Sequence, residues 1–176
     1  NVPQRLCEAM SYGLLTPGKR VRPFLVRESA KLFDLEWSVV EPIAAAIEMV
    51  HAYSLIHDDM PCMDDSPMRH GRASVHVAFD QATALLAGNS LLTMAFEHLM
   101  AQPFEDHTKV QLMTQLCDAS GPQGMMGGQQ LDMMQGSLVP LDEITRMQSL
   151  KTGCLLEFSC VAPALVAHAN GQQLQT

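Results

Sequence analysis

Four carboxylates crowd into eight residues of this chain: Asp58, Asp59, Asp64 and Asp65, within His57-Asp58-Asp59-Met60-Pro61-Cys62-Met63-Asp64-Asp65. The run closes an apolar stretch of helical periodicity. Asp58 and Asp59 therefore fall at a helix C-terminus, where the dipole repels anions. A bound cation would compensate. Hard divalent cations such as Mg2+ take carboxylate oxygens and keep water or substrate phosphates as their other ligands. Alone, the acidic run reads equally well as a solvated loop or as aspartates capping the next segment.

Other residues sharpen the choice. His51 lies seven positions before Asp58, about two helical turns, so both share a face, with Ser54 between them. Lys19 and Arg22 are three apart, a spacing suited to gripping one anion. Arg69 and Arg72 follow the acidic run, and Lys151-Thr152 falls in a late helix. Carboxylates and cations at one site are reconciled by a Mg2+-bridged diphosphate, with metal on one side of the phosphates and Arg or Lys on the other. Arg20, Arg27 and Arg146 read as surface charges. His57 and His76 read as packed or helix-end histidines.

The elements that must position these groups are helical. Residues 4–14 read as a short helix, closed by the turn Thr16-Pro17-Gly18. The basic stretch Lys19 to Pro23 leads into a helix over residues 23–33. A third helix starts near Pro42, a good first helical residue, and runs to Asp58. Residues 64–74 are polar and read as a loop. Residues 80–100 form a strongly apolar helix, and residues 108–120 another, broken by Gly121-Pro122. The Met- and Gly-rich residues 123–135 are compatible with a helix. Residues 141–169 read as a long helix that Pro163 kinks or breaks.

Composition supports this. Hydrophobic residues reach 47%, which excludes disorder, and charged residues are only 17%, which implies large buried surfaces. Aromatics are scarce at 5%, while Ala, Leu, Met and Gln abound, so an all-β sandwich is excluded. Helices apolar nearly all round belong inside a bundle. The net charge of −8 argues against general nucleic-acid binding. The five cysteines lack CxxC spacing, so free thiols in a reducing cytoplasm are expected rather than disulfides or zinc. No run of 18 consecutive apolar residues occurs, so no membrane span is expected. The chain opens on Asn1 and ends on polar residues 170–176, so a fragment at both ends is expected.

Four motifs then match one family in order: Gly18-Lys19-Arg20-Val21-Arg22-Pro23; Glu48-x-x-His51-x-x-Ser54-Leu55-Ile56-His57-Asp58-Asp59; the Asp-rich run with Arg69 and Gly71 behind it; and Gly127-Gly128-Gln129-x-Leu131-Asp132 with Lys151-Thr152-Gly153. They span nearly the whole chain, which resembles the polyprenyl diphosphate synthase family of trans-prenyltransferases. Within it, the four residues between Asp59 and Asp64, and Tyr53 five positions before Asp58, resemble the bacterial farnesyl diphosphate synthase type.

The resemblance implies an all-α, antiparallel helical bundle of the isoprenoid synthase type, with residues 1–176 a single domain's N-terminal portion. It implies Mg2+-dependent, head-to-tail condensation of isopentenyl diphosphate with an allylic diphosphate to give farnesyl diphosphate. The alternatives are a geranyl or geranylgeranyl diphosphate synthase, or a non-catalytic prenyltransferase-like subunit. By the resemblance, Asp58, Asp59 and Asp64 bind Mg2+. Arg69 holds the allylic diphosphate, with Lys151 and Thr152 helping. Lys19, Arg22 and His51 hold isopentenyl diphosphate. Gln129 and Asp132 line the site, and Tyr53 forms the pocket floor that limits chain length. Helix arithmetic alone would place Ser54, not Tyr53, under Asp58.

Two departures stand out. His70 replaces the family's second arginine, a ligand of isopentenyl diphosphate. Histidine is mostly neutral at pH 7 and lacks the bidentate fork. Ser66 and Pro67 replace acidic residues. The family also carries a second Asp-rich motif downstream, and none occurs before Thr176. The 176 residues alone are therefore expected to be inactive or nearly so. A homodimer is implied, with the apolar helix over residues 83–100 a candidate contact.

Overall fold

The computed structural model describes residues 2–134 and 139–169. The polar residues 170–176 lie outside the described residues. The fold is helical: α1 (Gln4–Leu14), α2 (Val21–Lys31), α3 (Trp37–Asp58), a small hairpin of β1 (Met68–Arg69) and β2 (Arg72–Ala73), then α4 (Val75–Ala78), α5 (Gln81–Met100), α6 (Asp106–Ser120), α7 (Met125–Met134) and α8 (Leu141–Gln148). A π-helical turn, Ser149–Gly153, follows directly and runs into α9 (Cys154–Val166). The cysteines Cys7, Cys62, Cys117, Cys154 and Cys160 are free thiols.

The chain forms two compact units. One holds residues 1–20 and 45–98, the other residues 21–44 and 99–176. In the first, small and branched residues of α3 and α5 supply the core: Ala46, Ile47, Val50, Ala84, Ala87 and Leu91 are at most 1% exposed. In the second, α9 packs against α2 and α6. Val26, Leu112, Leu116, Leu155 and Ala162 are wholly buried there.

Four local readings of the sequence change. Pro42 is not the first residue of α3, which begins at Trp37 and carries Pro42 inside it. Pro42 is the sixth residue of this helix, past the first amides that lack partners, so it forfeits one backbone hydrogen bond that the packing of α3 must offset. Pro163 does not break α9, which continues to Val166. The irregularity in the last helical run falls instead at Ser149–Gly153. Finally, residues 68–73 are not a plain loop. Met68 pairs with Ala73 and Arg69 with Arg72 in antiparallel register. The two linking residues, His70 at φ 50° and Gly71 at φ 76°, both take the left-handed conformation. That is the signature of a type I′ turn, whose twist matches the strands it joins. By length and composition, α3 and the run Leu141–Val166 could each cross a membrane, although half of α3's apolar window is buried in the protein.

The first unit is tied at its edge by Asp80, just before α5. Its carboxylate accepts from Arg5 at 2.7 Å, and from the Thr83 amide at 2.7 Å and hydroxyl at 2.8 Å. Arg5 first, then the two Thr83 donors, pulls the Asp80 carboxyl down to about 2. Because the folded value is the lower one, this tie stabilises the fold above the ordinary carboxylate range. It is lost as pH falls through about 2. An NMR titration of Asp80 should show this low midpoint in the native protein, and Arg5→Ala should move it back toward the ordinary range.

Candidate functional site: an acidic knot and a lysine turn

The C-terminal end of α3 does not simply run out into a loop. Its last carbonyls are taken up by a compact knot of turns. The Asp59 amide donates to Leu55 O at 3.1 Å, and the Met60 amide to His57 O at 3.1 Å. The chain then folds back. The Asp64 amide donates to Asp58 O at 2.9 Å, and the Ser66 amide to Asp59 O at 3.1 Å. Asp58 and Asp64, six apart in sequence, are thereby joined backbone to backbone. Asp58 is half-buried and Asp64 exposed.

Asp59 has a different environment. It is only 2% exposed. Arg69, on β1, grips it from two sides: Nε donates to both carboxylate oxygens at 3.1 Å, and a terminal nitrogen donates to Oδ1 at 2.5 Å. A buried carboxylate needs such a partner. The hairpin that carries Arg69 is itself anchored to the knot. The Ser74 hydroxyl donates to Ser66 O at 2.5 Å, and the Ser74 amide to Pro67 O at 3.0 Å. The Asp59 bond, followed by the charges of Asp59, Asp58 and Asp64, raises the Arg69 pKa above its ordinary value. One guanidinium thus sits in the field of three carboxylates.

The donor set bears on which metal would suit it. Among the described residues, no three His, Cys, Asp or Glu side chains gather as a closed metal cage. Mg2+ does not need one. It is held by one or two carboxylates and completed by phosphate oxygens and water. Asp58 and Asp64, joined through their backbones and built of hard oxygen donors, fit that pattern. Asp59 would reach a metal only by releasing Arg69.

Around the knot, Tyr53 is buried and packs edge-on against His57, ring centroids 5.0 Å apart. Burial first, then the charge of Asp58, pushes its phenol pKa up. Ser54 spends its hydroxyl on His51 O at 2.9 Å. The His57 Nε2 lies 3.1 Å from Leu85 O on α5, and burial pulls its pKa down. Gly88 makes this approach possible, since a Cβ there would stand 2.2 Å from that nitrogen. His57 is therefore a packed histidine, as its place in the sequence suggested. His51 lies half-buried on α3, and His70 is exposed at the hairpin tip.

The second unit carries its own cluster. Lys151 and Thr152 sit in the π-helical turn. Lys151 Nζ donates to Asp132 Oδ2 on α7 at 2.5 Å. One turn earlier on α7, Gln129 has both side-chain amide atoms buried without a hydrogen-bond partner. Such orphaned groups are rare unless a ligand or water meets them. Gly128 is why α7 can lie so close to the turn: a Cβ there would fall 2.1 Å from the Lys151 amide nitrogen. Arg22 lies half-buried near the start of α2 in this unit, whereas Lys19 is exposed in the first.

Sequence reasoning missed two things. The Arg69–Asp59 pair was hidden because the residues are ten apart and meet only through the hairpin. Arg20 was read as a surface charge, yet it contacts Glu48 and two backbone carbonyls. The lone arginine between Lys19 and Arg22 gave no periodic signal for that role.

Comparison with known proteins completes the picture. The family model described as polyprenyl synthetase matches residues 3–176. The chain is 42% identical over 170 residues to the farnesyl diphosphate synthase of Escherichia coli K12, covering 94% of this chain and 57% of that protein. It is 38% identical over 176 residues to a chloroplastic geranylgeranyl pyrophosphate synthase of Catharanthus roseus, covering 98% of this chain and 49% of that protein. Among solved structures, the apo FPP/GFPP synthase of Zymomonas mobilis superposes with a TM-score of 0.94 at 41% identity, covering 99% of this chain and 66% of that one. The chain thus spans about half to two thirds of the length of the relatives it matches.

Proposed function

Because this chain belongs to the polyprenyl synthetase family, we propose that it forms part of a trans-prenyltransferase making farnesyl diphosphate. The reaction would join isopentenyl diphosphate to dimethylallyl or geranyl diphosphate. The bond between the allylic C1 and its diphosphate oxygen breaks, and the isopentenyl double bond attacks C1. A proton leaves, and the chain grows by five carbons. The observation that carries this reading is the knot of Asp58, Asp59 and Asp64 around Arg69. Three clustered aspartates against one guanidinium suit a site completed by Mg2+ and a diphosphate.

Bound Mg2+ would neutralise the leaving diphosphate as charge builds on it. Asp58 and Asp64 would hold the metal. Asp59 would hold Arg69 pointed at the allylic diphosphate, and would join the metal only by exchanging that arginine. Lys151 and Thr152 would offer phosphate donors, with Asp132 steadying Lys151 and Gln129 offering its unpaired amide. Lys19, Arg22 and His51 would hold isopentenyl diphosphate. Tyr53, rigid against His57, would close the pocket floor, and apolar walls would keep water from the cationic carbon. Free thiols agree with a reducing cytoplasm. Leu85, Leu86 and Met94, exposed on α5, would supply a homodimer contact.

The test uses protein expressed from the complete gene, given Mg2+, geranyl diphosphate and isopentenyl diphosphate. Farnesyl diphosphate as the main product supports the reading. A twenty-carbon product favours a geranylgeranyl diphosphate synthase, the activity named for the Catharanthus relative. No product from folded protein favours a non-catalytic subunit.

His70 gives a separate prediction. An arginine there would offer a charged bidentate fork to isopentenyl diphosphate. His70→Arg should lower KM for that substrate about tenfold, the effect of one charge-assisted hydrogen bond. An unchanged KM would remove His70 from the binding site.

A further inference from the structure

We propose that Arg20 is a positioning residue that fixes Lys19 relative to His51, an inference that rests on the diphosphate-binding reading of those two residues. The backbone leaves α1 at Leu14 and reaches Arg20 through Thr16-Pro17-Gly18. Arg20 takes the left-handed conformation, φ 48°. A non-glycine residue holds this conformation only when its surroundings impose it. Here the side chain supplies the reason. One terminal nitrogen donates to Leu14 O at 3.1 Å and Thr16 O at 2.9 Å. Leu14 is the last residue of α1, where a helix leaves acceptors unsatisfied and favours a cation, and Thr16 lies in the turn just beyond it. The other terminal nitrogen meets the Glu48 carboxylate on α3.

The exposures show which partner depends on the other. The Glu48 side chain is 12% exposed and that of Arg20 42%. A carboxylate so nearly buried needs a partner for its charge, and Arg20 is the one that meets it. Glu48 is three residues before His51, one turn earlier on the same face of α3. Lys19 is the immediate neighbour of Arg20. One guanidinium therefore ties the end of α1, the loop that carries Lys19 and the face of α3 that carries His51. Only arginine has the planar fork to meet two carbonyls and a carboxylate together.

Arg20→Gln and Glu48→Gln, each in protein expressed from the complete gene, test this. Each should raise KM for isopentenyl diphosphate about tenfold, as expected for losing a charge-assisted bond, while KM for geranyl diphosphate stays within about twofold. The double variant should be no worse than either single one, because both break the same link. Arg20→Lys should recover only part of the loss. Equal rises in both KM values, or none, would overturn the proposal. Limited trypsin digestion of the Glu48→Gln protein gives an activity-free reading. Cleavage after Lys19 should speed up once the loop is unpinned, and an unchanged rate would overturn the clamp itself. Absence of prenyl transfer by the native protein, with faster cleavage in Glu48→Gln, would instead reject the functional reading and keep the clamp.

Discussion

Replacing Arg69 with alanine should lower kcat for prenyl transfer about a thousandfold, the upper range for removing one preorganised donor from a developing negative charge. The guanidinium is aimed into the aspartate knot and is held there by three contacts to Asp59. Its loss has a second consequence. Asp59 would be left 2% exposed with no counter-ion. Stranding a buried charge costs several kcal/mol, here about 2–3 because the arginine side of the pair reaches solvent. Stability and activity must therefore be separated. The double variant Asp59→Asn with Arg69→Gln replaces the ion pair by two neutral amides. It should regain most of the melting temperature while remaining about as inactive as Arg69→Ala. Steady-state kinetics beside thermal unfolding checks both. Recovery of activity along with stability would show that Arg69 only supports the fold.

Gly128→Ala should damage both the stability of the second unit and the placement of Lys151. The added methyl would lie 2.1 Å from the Lys151 amide nitrogen, 2.6 Å from Lys151 Cα and 2.8 Å from Leu150 carbonyl carbon. All three are backbone atoms, so no side-chain rotation relieves the clash. α7 must withdraw from the turn Ser149–Gly153, or the turn must deform. Overpacking of this kind costs about 1–3 kcal/mol, a fall in Tm of about 5 °C for a chain of this size. The same displacement pulls Asp132 from Lys151, now 2.5 Å apart. A misplacement of about 1 Å in a catalytic group can cost a hundredfold in rate, so kcat should fall by about that factor. Gly18→Ala is the control for stability: nothing lies within 4 Å of its added methyl. Equal melting temperatures for Gly128→Ala and the native protein would contradict the packing argument.

Much of this was legible from residue order. The first helix was readable, residues 4–14, with the turn Thr16-Pro17-Gly18 closing it. The acidic run announced itself by charge density, and the helix before it by apolar periodicity. Pairings across turns were not legible. Arg69 reaches Asp59 only because His70 and Gly71 adopt positive φ and fold the strand back. A His-Gly pair is a weaker hairpin signal than Asn-Gly, so the segment looked like a polar loop. The π-helical turn was hidden for a related reason. One extra residue in a helical run leaves composition unchanged, yet it re-aims Lys151. Pro42 and Pro163 misled because a proline marks a lost donor, and whether that breaks a helix depends on the packing around it.

The central claim is that this aspartate knot and Arg69 receive a diphosphate together with Mg2+. Calorimetric titration of protein from the complete gene with an unreactive thio-analogue of geranyl diphosphate tests it most directly. Binding should be at least tenfold tighter with Mg2+ than with EDTA, and Asp58→Asn should abolish that difference. Equal affinity with and without the metal would contradict the account.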